Sequence, residues 1–444
     1  MHSQLSDIPE LRALDSGTGL LRIPQEIDVP MTERVRQIVD TAEFRRLSRI
    51  SQLGLVAHVY PAAHHTRFEH SLGVYRMALL FLQRLMHDER FADAIGPESA
   101  TAFIAAALLH DLGHWPFCHP IEDLRLAGVP EHELFANSFI LEGEVADVLR
   151  SEWGIQPRDV VALLSEKPRD KGSKILQSMV SGPIDIDKMD YLMRDSLHAG
   201  VPYGRNFDQQ RLIGSLCLNQ SGDGIALTEK GKTAAEMMVF SRYVMFSEVY
   251  WHHAVRSATA MLQRAFYLLH AELDLETMFR MDEREFIDAM KAAAAGGPAM
   301  PLLDGLFGSK RRLYKRLSQY NLVQTPEIYN QLARRPYEWL VRCGEEVANR
   351  LSHQIGRRVA PDEVLIDAPP IKLEVQFAVD IFYAKEKSYR TLGEVSPMVK
   401  TLATTQFDDH VKSVRVFVAP DLRSDLNGIE NLAEILESAI SVVG

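Results

Sequence analysis

A mainly α-helical chain with a smaller α+β region toward its C-terminal end is what the sequence predicts, on three observations. Across residues 31–273 apolar side chains recur at three- and four-residue spacing, the period of helices that bury one face. The stretch Lys291-Ala-Ala-Ala-Ala-Gly-Gly-Pro-Ala-Met-Pro then breaks the pattern. Beyond it, residues 371–377 (Ile-Lys-Leu-Glu-Val-Gln-Phe) and 411–418 alternate apolar and polar side chains as strands do. The expected division is a helical unit over 1–290 and an α+β unit over 291–444, regulatory or oligomerising.

Taken in order, Thr41-Ala-Glu-Phe-Arg-Arg-Leu and residues 71–86 read as amphipathic helices. Glu98-Ser99 is placed to open an Ala-rich helix and Gly113 to close it. His110 and Asp111 then fall at a helix C-terminus, where unpaired carbonyls favour a cation. Gly182-Pro183 breaks the chain before a helix over 185–197. Residues 233–273 read as one long helix or two consecutive ones, and 431–443 as a terminal helix.

With 444 residues, 46% of them hydrophobic and 25% charged, the chain has the composition of a folded globular protein. A net charge of -11 argues against nucleic acid as the main partner, though not against a nucleotide substrate. Three cysteines exclude a disulfide framework and suit a reducing cytoplasm. The first residues, MHSQLSDIPELRALD, do not read as a signal peptide, and the longest apolar run, 100–109, is too short to span a bilayer. A cytoplasmic protein with no membrane partner is expected.

Chemistry concentrates in four residues: His70, the pair His110-Asp111, and Asp187. Imidazoles and carboxylates together suit a divalent ion with open coordination positions. A lone helix histidine usually packs or faces solvent. His110-Asp111, however, follows an unbroken apolar stretch, and burial there requires a partner, either an ion or a His–Asp hydrogen bond closing the helix. Lys188, Tyr191 and Asp195 share a helix face with Asp187 at its start, which periodicity alone makes a solvated charge face. The stripe Arg242, Phe246, Tyr250, His253 reads by periodicity alone as core packing.

The segments HTRFEHSLGVY, LLHDLGHWPFCH and DIDKMDYLMRDS resemble the HD-domain phosphohydrolases, most closely their deoxynucleoside-triphosphate triphosphohydrolase (dGTPase-like) branch. The resemblance covers residues 40–256. It implies an HD-domain helical core in which His70, His110, Asp111 and Asp187 hold a divalent ion, which Fe, Mn, Ni, Co, Zn or Mg would each fit. His114 and His132 would serve the chemical step, supported by Glu122, where the family carries an aspartate. His119 is left between a structural, a phosphate-contacting and a catalytic role. Arg67, Lys188 and Arg242 would meet the triphosphate, Gln52 and Leu53 the sugar, Tyr191 the substrate, and Asp195 the 3′-hydroxyl. Tyr250 would pack with Leu53 against the 2′ position and so reject ribose.

Three departures stand out. Phe246 occupies a position where the family has histidine. Asp40 matches a residue that binds an activating nucleotide, but Ser48 stands where the family has arginine. The basic run Lys310–Arg316 reads equally as regulatory or as a solvated turn. The expected reaction is metal-dependent hydrolysis of deoxynucleoside triphosphates to deoxynucleoside and inorganic triphosphate. The alternatives are an HD phosphohydrolase acting on a monophosphate, cyclic nucleotide or alarmone, and a nucleotide-sensing module without turnover. Partners implied are the nucleotide substrate and a second copy of the chain in a dimer or tetramer; an allosteric nucleotide is left open.

Overall fold

The computed structural model describes residues 4–17, 19–25, 27–370, 378–402, 411–426, 429 and 431–444. Helices dominate, with three small sheets among the described residues. Strands β1 (Leu20–Ile23) and β2 (Ile27–Pro30) form an antiparallel hairpin. A mixed sheet joins β3 (Leu216–Leu218), β4 (Ile225–Thr228), β7 (Asp380–Tyr383) and β8 (Ser388–Thr391) in that order, with β4 and β7 parallel. A third sheet is antiparallel, with β9 (Val414–Val418) between β5 (Lys315–Tyr320) and β6 (Val364–Asp367). The mixed sheet therefore pairs a strand before residue 290 with one after it. The expected strand over 371–377 lies outside the described residues.

Five helices position the site: α1 (Arg67–Leu85), α2 (Pro97–Leu109), α3 (Cys118–Glu122), α4 (His132–Phe135) and α5 (Ile186–His198). In α1 the hydroxyl of Thr66 accepts from Glu69 N at 3.4 Å and caps the first turn. In α5 the carboxylate of Asp185 does the same for Lys188 N at 2.7 Å. Helix α2 starts one residue earlier than its composition suggests, with Gly96 as cap and Pro97 in the first turn, where a missing N–H costs nothing. It ends at Leu109 rather than running on to Gly113. Residues 100–109 are buried all round, so this helix is a central post and not an amphipathic surface element.

Gly113 has a different task from ending a helix. A Cβ there would lie 2.1 Å from the His132 carbonyl and 2.5 Å from Ala136 N, so only glycine lets α4 close over the chain after His110-Asp111.

Residues 233–273 resolve into two helices, α6 (Lys232–Met245) and α7 (His253–Leu269), joined by a π-turn at Phe246–Tyr250. Such a turn re-aims side chains that a continuous helix would keep in register. Helix α7 packs on the third sheet, where Arg256 pairs with Asp367 through contacts of 2.5 and 3.1 Å. The C-terminal part is an α+β layer of that sheet with α8 (Tyr337–Ile355) and α9 (Leu432–Val443). The breaker stretch is a short turn between the helices Glu283–Ala293 and Met300–Phe307, with Ala294 and Ala299 buried. Among the described residues no helix is long and apolar enough to cross a membrane.

Candidate functional site

His70 enters from the first turn of α1. Its Nδ1 lies 2.9 Å from Asp190 Oδ2, and a carboxylate can only accept, so the proton sits on Nδ1. His110 caps α2 with Nδ1 2.9 Å from the Ala107 carbonyl, which fixes its proton in the same way. The two Nε2 atoms then face each other at 3.2 Å. That arrangement is repulsive unless a proton or a metal ion lies between them. A separation near 3 Å is also roughly the edge of a coordination shell with bonds of about 2.0–2.1 Å.

Two carboxylates complete the group. Asp187 Oδ1 is 3.0 Å from His70 Nε2 and 3.9 Å from His110 Nε2. Asp111 Oδ1 is 3.4 Å from His110 Nε2, and its Oδ2 is 4.0 Å from His70 Nε2. The four expected ligands therefore converge, and His70, His110 and Asp187 have donor atoms spaced closely enough to share an ion. The electrostatics agree. Burial by itself would disfavour a charged His70, yet Asp187, Asp190 and Asp111 together raise its pKa to about 10, so the local field stabilises positive charge. Burial would raise the Asp111 carboxyl, but the contact from His114 Nδ1 at 3.0 Å, with Arg67 and His110, holds it well below the usual range.

Next to this centre, His114, His119 and His132 bring their rings within 4.0 to 5.1 Å of one another. Glu122 accepts from the His132 backbone N at 2.7 Å and contacts its Nδ1 at 2.8 Å. The other oxygen lies 3.3 Å from His119 Nδ1. Burial would push the Glu122 carboxyl up, but hydrogen bonds from His119 and His132 hold it well below the usual range. Its longer arm thus spans two imidazoles. His114 is buried, and burial and then Arg67 keep it neutral.

The remaining expected residues are placed unevenly. Asp195 receives the Tyr250 hydroxyl at 2.6 Å and lies 2.9 Å from His65 Nε2. Burial and then Asp195 push the Tyr250 phenol well above its usual pKa, so it remains a donor. Tyr191 and Leu53 are half-buried against the same core as Tyr250. Gln52 anchors through its backbone N to His65 O at 2.9 Å, while its buried Oε1 has no hydrogen-bond partner. Arg242 stacks 5.6 Å over Phe246. Two cations are already engaged: Arg67 Nη1 with Asp111 at 2.9 Å, and Lys188 Nζ with Asp185 at 2.5 Å and the Gly182 carbonyl at 3.2 Å.

Reading the sequence missed Asp190, Arg194 and His65. Asp190 sits three residues after Asp187, one helical turn on, and that spacing was the available signal. Gly73 was a second signal. A Cβ there would lie 1.9 Å from Asp190 Oδ1, so the glycine of HSLG marks where α5 presses its carboxylate onto α1.

The HD domain family matches residues 67–195, which hold the four converging candidate ligands, and the HD associated region family matches 207–436, about half of the chain. The chain belongs to the HD-domain family. Its HD domain carries the three histidines and Glu122 as well, while Arg242 and Tyr250 come from the associated region. An uncharacterized protein of Methanocaldococcus jannaschii is 29% identical over 386 residues, 85% of this chain and 75% of that protein. The deoxynucleoside triphosphate triphosphohydrolase SAMHD1 of Gallus gallus is 27% identical over 354 residues, 68% of this chain, and the match spans 56% of that relative's length. The crystal structure of a phosphohydrolase from Bacteroides thetaiotaomicron matches with a TM-score of 0.66 at 25% identity, over 90% of this chain and 99% of that one.

Proposed function

We propose that this HD-domain protein hydrolyses deoxynucleoside triphosphates to the deoxynucleoside and inorganic triphosphate, using a divalent ion held by His70, His110, Asp111 and Asp187. The observation that carries the reading is the opposition of the two Nε2 atoms at 3.2 Å, bordered by two carboxylates and adjoining a second group of three imidazoles. When bound, the ion supplies Lewis-acid polarisation of a phosphate oxygen. The chain's own residues do the rest. Water adds to the α-phosphorus, the bond to the 5′-oxygen breaks, and that oxygen takes up a proton. His132, with Nδ1 held by Glu122, and His114, kept neutral by burial, are the proton carriers. Tyr250 and Asp195 form a hydrogen-bonded pair suited to the sugar, with Leu53 and Gln52 nearby in the chain's fold. Arg67 and Arg242 lend positive charge to the phosphates.

The SAMHD1 relative supports this substrate class by its own name. A second reading, hydrolysis of a nucleotide with fewer phosphates, draws on Lys188 and Arg67, both of which already neutralise carboxylates. The deciding experiment incubates the purified protein with the four dNTPs and the four NTPs, with and without Mn²⁺, and separates the products by chromatography. Deoxynucleoside with triphosphate supports the proposal. In a parallel incubation with the corresponding nucleoside monophosphates, cleavage there and none of the triphosphates supports the second reading and removes the first.

A further inference from the structure

His114, Cys118, His119 and His132 each offer a donor atom, and the four donors lie within 4.8 Å of one another. We propose that these residues form a second, thiolate-containing cation site for a borderline-soft ion such as Zn²⁺ or Co²⁺, and that its occupation switches the hydrolase off. The switch rests on the roles given above to His114 and His132; the site itself rests on geometry alone.

The donor chemistry differs from that of the first centre. Imidazoles with a thiolate are a tetrahedral zinc-type set, whereas two imidazoles with two carboxylates suit harder ions equally well. The histidines are also oriented for it. Glu122 engages Nδ1 of His132 at 2.8 Å and Nδ1 of His119 at 3.3 Å, which places their protons there and turns both Nε2 atoms outward as donors, that of His132 lying 3.4 Å from Glu133 Oε1. His114 supplies the independent observation. It is only 4% exposed, and its Nε2 has no hydrogen-bond partner, while Nδ1 lies 3.0 Å from Asp111 Oδ1. A buried imidazole nitrogen left unsatisfied is costly unless a ligand takes it.

Cys118 is buried beside them, presented by a strained step. Phe117, which precedes it, has φ 58, a left-handed conformation that a bulky aromatic rarely adopts and that tends to mark functional sites. Tetrahedral bonds of about 2.0–2.3 Å set donors roughly 3.3–3.8 Å apart, so binding draws the widest pair in by at most about 1.5 Å. The ion displaces one proton from the thiol and occupies the lone pairs that His114 and His132 need for proton transfer.

Cobalt tests the site without any turnover. The protein is stripped of metal and titrated with Co²⁺ while the near-ultraviolet thiolate-to-cobalt charge-transfer band is followed. The first centre has no sulfur donor and cannot give that band. The expected result is a band saturating at one thiolate per chain, lost in Cys118→Ser and Cys118→Ala, and retained in Asp187→Ala. No band in the wild type, or a band that survives in Cys118→Ser, overturns the site; the wild-type result stands even if a variant misfolds.

For the switch, Zn²⁺ is added to Mn²⁺-loaded enzyme hydrolysing a dNTP. Zinc should inhibit the wild type, and Cys118→Ser should need about tenfold more zinc or beyond. Equal inhibition of both proteins overturns the switch. Absence of any nucleotide turnover removes both the hydrolase reading and the switch, and the cobalt band still decides the site.

Discussion

Asp190 Oδ2 lies 2.9 Å from Nδ1 of His70, and the same carboxylate receives two guanidinium contacts from Arg194 at 2.7 and 2.8 Å. The imidazole is thereby locked with Nε2 toward Asp187, an arrangement that raises a histidine's basicity toward a metal. Asp190→Asn preserves size and removes the charge. Its divalent-ion affinity, measured by calorimetric titration of metal-stripped protein, should fall about 10- to 100-fold. Unchanged affinity would mean that Asp190 only braces α1 against α5.

Asp190 also carries a pH signature. Burial alone would raise its pKa, but Arg194 and then His70 hold it well below the usual aspartate range. Because the folded value is depressed, the stabilisation is complete above the unfolded value of about 3.9 and is lost as pH falls toward the folded one. In metal-free protein, the gap in urea midpoint between wild type and Asp190→Asn should therefore be wide near neutrality and shrink below about pH 4. A gap of equal size at both pH values would contradict this.

Gly73→Ala should be far more damaging than an ordinary helix substitution. The new Cβ would sit 1.9 Å from Asp190 Oδ1 and 2.4 Å from Arg194 Nη2, and Arg194 is itself held by Glu69 at 2.6 Å. An overpacked contact of this kind costs about 1–3 kcal/mol, and it also displaces the partner of His70. Denaturant unfolding and metal content should fall together. A stable variant with full metal content would show that α5 shifts without consequence.

Sugar choice is expected to depend on Tyr250. Its hydroxyl donates to Asp195 at 2.6 Å, so Tyr250→Ala removes both a donor and the bulk beside it. The ratio of dNTP to NTP turnover should narrow, mainly through loss of dNTP turnover. A wild-type enzyme that hydrolyses ATP and dATP equally well would show that no such wall operates.

Activation is the last expectation. Ser48 donates to the Arg45 carbonyl at 2.7 Å and cannot hold a phosphate as an arginine would. Arg46 is no substitute, because it is buried, bonded to the Leu112 carbonyl at 2.7 Å and stacked 4.8 Å over Phe139. Losing one charge-assisted contact is worth about 1.5–3 kcal/mol, or one to two decades in affinity. A single dNTP should be hydrolysed without GTP, and titrating GTP into a dATP assay should leave the rate nearly unchanged. A sharp requirement for low GTP would point to Arg49, which is exposed and paired with Asp282 at 3.2 Å.

Much of the candidate site was legible because its candidate ligands are local events in the chain. His70 follows a capped first turn, His110-Asp111 ends an apolar helix, and Asp187 opens a helix after Asp185. Each is marked by a change in pattern that periodicity and capping make visible. The C-terminal layer was legible in the same way through β9 and α9. The π-turn at Phe246–Tyr250 was not, since one extra residue in a helical turn leaves the apolar period almost intact.

By itself, the sequence determined the helical core, the α+β C-terminal layer and the identity of the four ion-binding candidates, because helix period, caps and breakers are encoded within a few residues of one another. Only the tertiary structure decided which nitrogen of His70 faces inward and that Asp190 and Glu122 hold the imidazoles. Those outcomes depend on side chains up to 120 positions apart meeting in a buried space, where each polar group must find a partner. No local pattern specifies such a partner; the packing of α1 against α5 does.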